Sequence, residues 1–282
     1  AHTPPAVAQS YPQSGPIRLA TAASGLGDSA TMDFKDKVAL VTGGANGLGR
    51  GTAEALINRG AKVVLADIED DTGQATAAEL GAEFIHTDVT DPAASQAAVE
   101  FAKQNFGRLD LAFLNAGIST GCGLDQSFDL DRYRTAMGVN LDGVVFGLNA
   151  AVPAMREAGG GSIVCTASLA GLAPTPFDPI YAANKAAVVG LVRSVGPVYD
   201  LENIHVNGIC PGFADTRIVD PIKEGLTGEG IPIIPVEQVV DGIMDLFGEE
   251  SGGHCHFVQH GMETQEFNFR RVPGPPPVAE AS

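Results

Sequence analysis

Along the chain, short apolar runs alternate with longer segments whose apolar positions recur at helical spacing. The runs at 37–43 (KVALVTG), 62–67 (KVVLAD), 83–88 (EFIHTD), 109–117 (LDLAFLNAG), 162–168 (SIVCTAS), 204–212 (IHVNGICPG) and 254–259 (HCHFVQ) predict seven strands. Most are rich in Val, Ile and Leu without clean in–out alternation, as strands covered on both faces should be. Spacers such as 92–106 and 236–247 are amphipathic and of helix length. Strand–helix alternation repeated this often predicts an α/β fold: a doubly wound, Rossmann-type, mostly parallel seven-stranded sheet with helices on both faces. The catalytic domain is expected over residues 32–262. Residues 1–31, rich in Ala, Pro, Ser and Gly and without a period, read as a flexible extension, and 263–282 as a C-terminal tail.

Composition narrows the function. The chain has 282 residues, 44% hydrophobic and 18% charged, enough for one large globular domain. Its formal net charge of −17 is the wrong sign for neutralising phosphates, so nucleic acid is not expected as a partner. Nor is an anionic membrane surface. The longest uncharged run, 158–177, holds three consecutive glycines and two prolines, which suits a strand and loop rather than a membrane span. Four cysteines at 122, 165, 210 and 255 form no C-x-x-C pair, so neither a disulfide framework nor a zinc pattern is indicated. With no apolar leader in residues 1–31, a reducing, cytoplasmic setting is expected.

Chemistry enters at VTGGANGLGRG (41–51), a glycine-rich turn between the first strand and a helix. Glycines let backbone approach a ligand closely, and N–H groups at a helix start attract phosphate. The spacing is T-G-x-x-x-G-x-G, carried by Thr42, Gly43, Gly47 and Gly49. Asp67 ends the second strand eighteen residues later, where a carboxylate can accept from ribose hydroxyls and repel a 2′-phosphate. Neither Asn46 nor Ile68 supplies the positive charge that such a phosphate would want. The expected cofactor is therefore NAD rather than NADP.

These residues, with NAG at 115–117, Asn140 in MGVN, Ser168 in TAS, and Tyr181 and Lys185 in YAANK, resemble the compact single-domain branch of the short-chain dehydrogenases/reductases. The motifs run in the family's order over most of 33–262. The resemblance implies a homodimer or homotetramer that moves hydride between a secondary alcohol, or its ketone, and NAD. It places Gly43, Asn46, Gly47, Leu48, Gly49, Asp67, Ile68, Asp88, Val89, Asn115, Ala116, Gly117, Pro211, Gly212 and Thr216 around the cofactor. Lys185 would also bond the nicotinamide ribose, and Asn140 would fix a water in a proton path. An NADPH-dependent carbonyl reductase and a non-catalytic NAD sensor are the competing readings.

On a helix, Tyr181 and Lys185 are one turn apart on one face. A free phenol, with a pKa of about 10, is a poor base near neutrality. An ammonium beside it and a positive nicotinamide both favour the phenolate, and Ser168 would hold the substrate oxygen. Residues 213–234, rich in Gly and Pro, read as a lid, and Phe213, Ile218, Val219, Ile222 and Leu226 with Cys122 and Leu124 as an apolar pocket. His254, Cys255, His256 and His260 invite a metal reading, but strand alternation turns Cys255 away from its neighbours, so no metal is expected. Pro197, downstream of Lys185, is expected to kink the helix.

Overall fold

The computed structural model describes residues 34–270; the extension at 1–31 and the tail from 271 lie outside the described residues. Strand β1 (Val38–Thr42) is buried at all five positions, so both its faces must be covered. It pairs in parallel with β2 (Lys62–Asp67) on one side and β4 (Leu111–Leu114) on the other. With β3 (Glu83–His86), β5 (Gly161–Thr166), β6 (Ile204–Pro211) and β7 (Cys255–Val258), the sheet runs β3-β2-β1-β4-β5-β6-β7. All seven expected strands are present and parallel.

An eighth strand, β8 (Gln265–Glu266), closes the edge antiparallel to β7. The sheet thus has eight strands rather than seven, and the folded body passes the expected boundary at 262. Just beyond β8, Phe269 packs against the core under the Arg193 guanidinium, 3.7 Å from the ring centroid. Two exposed polar residues carry no apolar signal, so hydrophobic periodicity could not mark this strand.

The helices divide between the sheet's faces. Helices α3 (Pro92–Phe106), α5 (Gly143–Ala158) and α6 (Pro179–Tyr199) bury Val99, Leu148, Met155, Val188 and Val192 on one face. Helices α1 (Gly47–Asn58), α2 (Asp70–Leu80) and α7 (Val236–Phe247) cover the other with Ala53, Leu56, Ala77, Ile243 and Leu246. Helix α4 (Leu130–Met137) continues into α5 through a π-helical turn at Gly138–Asp142. The run Leu130–Ala158 is long and apolar enough to cross a membrane, but Val144, Leu148 and Met155 bury its apolar face on the sheet.

Helix α6 runs on through Pro197 to Tyr199 rather than stopping. Its far end is fixed by backbone packing: a Cβ on Gly196 would stand 2.0 Å from the Gly253 nitrogen. The strand order reverses between β1 and β4, so the loops after these strands open a cleft at the sheet's carboxyl edge, where ligands of open α/β sheets bind.

Candidate active site

The glycine loop follows β1 directly. A Cβ on Gly43 would lie 3.0 Å from the Ala116 Cα, and one on Gly49 would lie 2.0 Å from the Gly43 carbonyl oxygen. Only glycine fits at 49. Asn46 caps α1 without a side-chain capping bond, leaving the helix's first N–H groups for a ligand. These features fit a dinucleotide phosphate. At the ribose edge, Asp67 is partly exposed and accepts from the backbone N–H of Ala45 at 2.9 Å and of Glu69 at 3.0 Å. Each carboxylate oxygen keeps a further lone pair. Ile68 is exposed beside it.

The other expected cofactor residues divide by what already holds them. Asn115 bridges strand ends: its backbone N–H meets Thr42 Oγ1 at 2.9 Å, its amide donates to Thr42 O at 3.1 Å, and its Oδ1 accepts from Thr166 Oγ1 at 3.1 Å. It therefore ties β1, β4 and β5 together. Ala116 also donates to Thr42 Oγ1. Asp88 is exposed and accepts from Thr90 through one oxygen, while Val89 is buried against Gly143. Thr216 lies against the phosphate loop: its Cγ2 is 3.2 Å from where a Cβ on Gly47 would stand.

Ser168, Tyr181 and Lys185 gather at the carboxyl end of β5. Ser168 Oγ accepts from the Ala170 N–H at 3.1 Å and donates to the Pro211 carbonyl at 3.4 Å, and its hydroxyl holds the Tyr181 phenol's proton affinity down. Asp178 caps α6 by accepting from the Tyr181 N–H at 3.0 Å, with Pro179 at the first helical position. The loop carrying Ser168 presses closely on α6: a Cβ on Gly171 would lie 2.6 Å from the Lys185 carbonyl oxygen. Lys185 is 2% exposed and its Nζ donates to Thr166 O at 2.7 Å. An ammonium has three donors, so two stay uncommitted by that bond.

Asn140 occupies the π-helical turn and is fully buried. Such turns recur at functional sites because they turn a side chain out of helical register. Its Oδ1 accepts from the Ile118 N–H and its Nδ2 donates to the Ile118 carbonyl, both at 2.9 Å. Both Asn140 Oδ1 and Lys185 Nζ flank Gly117: a Cβ there would lie 3.3 Å from the first and 3.6 Å from the second. The four candidate catalytic residues therefore share one neighbourhood.

The electrostatics correct one expectation. Burial pushes the Tyr181 phenol up to about 12, against a lowering by the Ser168 hydrogen bond and with a further rise from Asp178. Burial also brings Lys185 down to about 8, partly offset by Cys210 and Cys165. The lysine stands 5.7 Å from the tyrosine ring centroid, and in the cofactor-free cleft the phenol nevertheless lies above its ordinary value because of burial.

Sequence reasoning missed Thr166, whose carbonyl holds Lys185 and whose hydroxyl holds Asn115; nothing in the sequence distinguishes it from an ordinary strand threonine. The Asp178–Pro179 cap carried a readable helix-start signal. In the lid, Val219 is buried while Ile218 and Ile222 are exposed, and Phe213 stacks on Phe177 with centroids 6.2 Å apart. Exposed Leu124 and Phe128 lie on the loop before α4. His254 is occupied by Ser251 at 3.0 Å and Glu266 at 2.7 Å.

Comparison with known proteins bears on the family and the fold. The family model described as short chain dehydrogenase matches residues 37–227. The 3-alpha-(or 20-beta)-hydroxysteroid dehydrogenase of Mycobacterium tuberculosis is 42% identical over 76% of this chain and 84% of its own length. The cyclohexanol dehydrogenase of an Acinetobacter species is 36% identical over 68% and 78%. Among solved structures, levodione reductase superposes with a TM-score of 0.71 at 33% identity, covering 76% of this chain and 91% of that one. The 3-ketoacyl-(acyl-carrier-protein) reductase of Brucella melitensis, solved with NADH, gives 0.76 at 25% identity over 81% and 99%.

Proposed function

The chain belongs to the short-chain dehydrogenase family and is an oxidoreductase acting on alcohols or their ketones, and from that premise we propose that it uses NAD to oxidise an apolar, alicyclic secondary alcohol. The observation that carries the reading is the gathering of Ser168, Tyr181 and Lys185 in the same cleft as a glycine loop in which position 49 admits only glycine. When bound, the oxidised nicotinamide supplies the acceptor for the hydride leaving the carbinol carbon. Ser168 Oγ holds the substrate oxygen. Tyr181 Oη takes the hydroxyl proton as the C=O bond forms, and Lys185 and Asn140 connect that proton to solvent. Because burial alone raises the phenol, Tyr181 becomes an effective base only with the positive charge of the loaded cleft beside it.

Asp67 at the ribose edge, flanked by uncharged Asn46 and Ile68, supports NAD over NADP. Exposed Leu124 and Phe128 before α4, and Ile218 and Ile222 in the segment after β6, support an apolar substrate. The names of the relatives, a hydroxysteroid and a cyclohexanol dehydrogenase, support a ring alcohol. Three buried free thiols suit a reducing cytoplasm, and a homodimer or homotetramer follows from the family resemblance.

Two measurements test the proposal. NADH should raise the melting temperature more than NADPH, since the tighter ligand stabilises the native state more; equal or better protection by NADPH would favour a carbonyl reductase. A panel of steroid, cyclic and fatty-acid-derived secondary alcohols should give NADH with wild type and none with Tyr181→Phe. NAD binding without turnover anywhere on the panel would favour a sensor.

A further inference from the structure

Arg217 follows Thr216 in the segment after β6 and reaches across 148 residues of sequence to Glu69, beside the ribose-edge Asp67. Its Nη1 donates to Glu69 Oε1 at 2.9 Å and Oε2 at 2.8 Å. Asn46 of the phosphate loop donates to the same carboxylate at 3.3 Å. The Glu69 backbone N–H is held in turn by Asp67. Side-chain donors from two segments far apart in sequence therefore meet on this carboxylate, although it lies at the surface. Thr216, adjacent to Arg217, is the residue packed on Gly47.

From this geometry we propose that Glu69 is a positioning residue for the dinucleotide: through Arg217 it holds Thr216 down on the phosphate loop, and the pair clasps the segment after β6 across the cleft. The proposal rests on the cleft being a dinucleotide site, but not on which dinucleotide it prefers. Asp67 discriminates at the ribose, whereas the clasp retains whatever is bound. An exposed ion pair is worth little as fold stability. Here it acts on closure of one segment, so its effect falls on ligand release rather than on melting. The pair is also screened by salt, because both side chains face water.

The test is the NADH release rate, followed by stopped-flow fluorescence for wild type, Glu69→Gln, Arg217→Gln and the double variant, at low and high salt. Each single variant should speed release by about two- to fivefold, the range an exposed pair can supply. The double variant should be no faster than the singles, since either change opens the same clasp. Raising salt should accelerate release from wild type and leave the double variant unmoved. Melting temperatures without cofactor should stay at the wild-type value, because so exposed a pair adds little to fold stability, and the release rate is the readout that a merely structural pair would not move. Unchanged release in both singles, or additive effects in the double, would overturn the clasp while leaving the dinucleotide reading intact. Failure of wild type to bind either NADH or NADPH would overturn both.

Discussion

Lys185→Met tests the electrostatics of the site without cofactor or substrate. Lys185 is buried, and its pKa falls from 10.5 to about 8, chiefly through desolvation. The folded pKa lies below the unfolded one, so between them the unfolded chain binds the extra proton. Stability must therefore rise with pH across that window, opposite to the usual behaviour of a lysine that gains a partner. Below the window the folded protein carries the full cost of a buried ammonium, on the order of 3 kcal/mol at one pKa unit per 1.36 kcal/mol. The bond to Thr166 O relieves only part of it. Between about pH 7 and about pH 9.5 the two pKa values imply that wild type gains about 2 kcal/mol relative to a variant with no titrating group at 185. Methionine keeps the length of the chain and no charge. Urea unfolding of cofactor-free wild type and Lys185→Met should show the variant ahead at the lower pH, with the gap shrinking by that amount on going up. Other lysines and tyrosines titrate in both proteins and cancel. A gap constant to a few tenths of a kcal/mol would refute a buried, destabilised ammonium, as would a variant less stable than wild type near neutrality.

Two further substitutions probe the scaffold around it. Gly49→Ala places a methyl 2.0 Å from the Gly43 carbonyl, which is backbone and cannot swing aside; NADH affinity by fluorescence titration should fall at least about tenfold, with some loss of melting temperature. Asn140→Ala removes the side-chain partner of both backbone groups of half-buried Ile118, so urea unfolding should show a loss of about 2 kcal/mol, alongside reduced turnover.

What the sequence could and could not say divides along physical lines. A parallel sheet covered on both faces leaves continuous apolar runs, and seven of them marked β1 to β7, the run at 109–117 overshooting the four-residue β4 most. The same rule is blind to β8, whose two residues are polar and exposed and are recruited by pairing with β7 alone. Helical spacing put Tyr181 and Lys185 on one face, and α6 is continuous through both. Pro197, expected to kink that helix, sits within three residues of its end, where few downstream bonds depend on it and Gly253 packs against its ring. Glu69 and Arg217 could not be paired from the sequence, because their meeting depends on how the segment after β6 folds back over the cleft.

The direction of the Tyr181 shift lies outside any reading by spacing. Charge adjacency along a helix suggests that an ammonium assists a phenolate, but adjacency says nothing about how much water both groups lose. Here the loss dominates for each: burial disfavours the phenolate and the ammonium alike, and the lysine turns its proton toward the Thr166 carbonyl. A site built this way resists ionising on its own. Tyr181 can serve as a base only when further positive charge enters the cleft, so its proton affinity becomes coupled to cofactor binding. By linkage the converse holds: the oxidised dinucleotide, whose nicotinamide ring is cationic, should bind more tightly as pH rises toward the phenol's range, while the reduced form, whose ring is uncharged, should not. That asymmetry ties the chemistry of Tyr181 to the oxidised cofactor rather than to Lys185 alone.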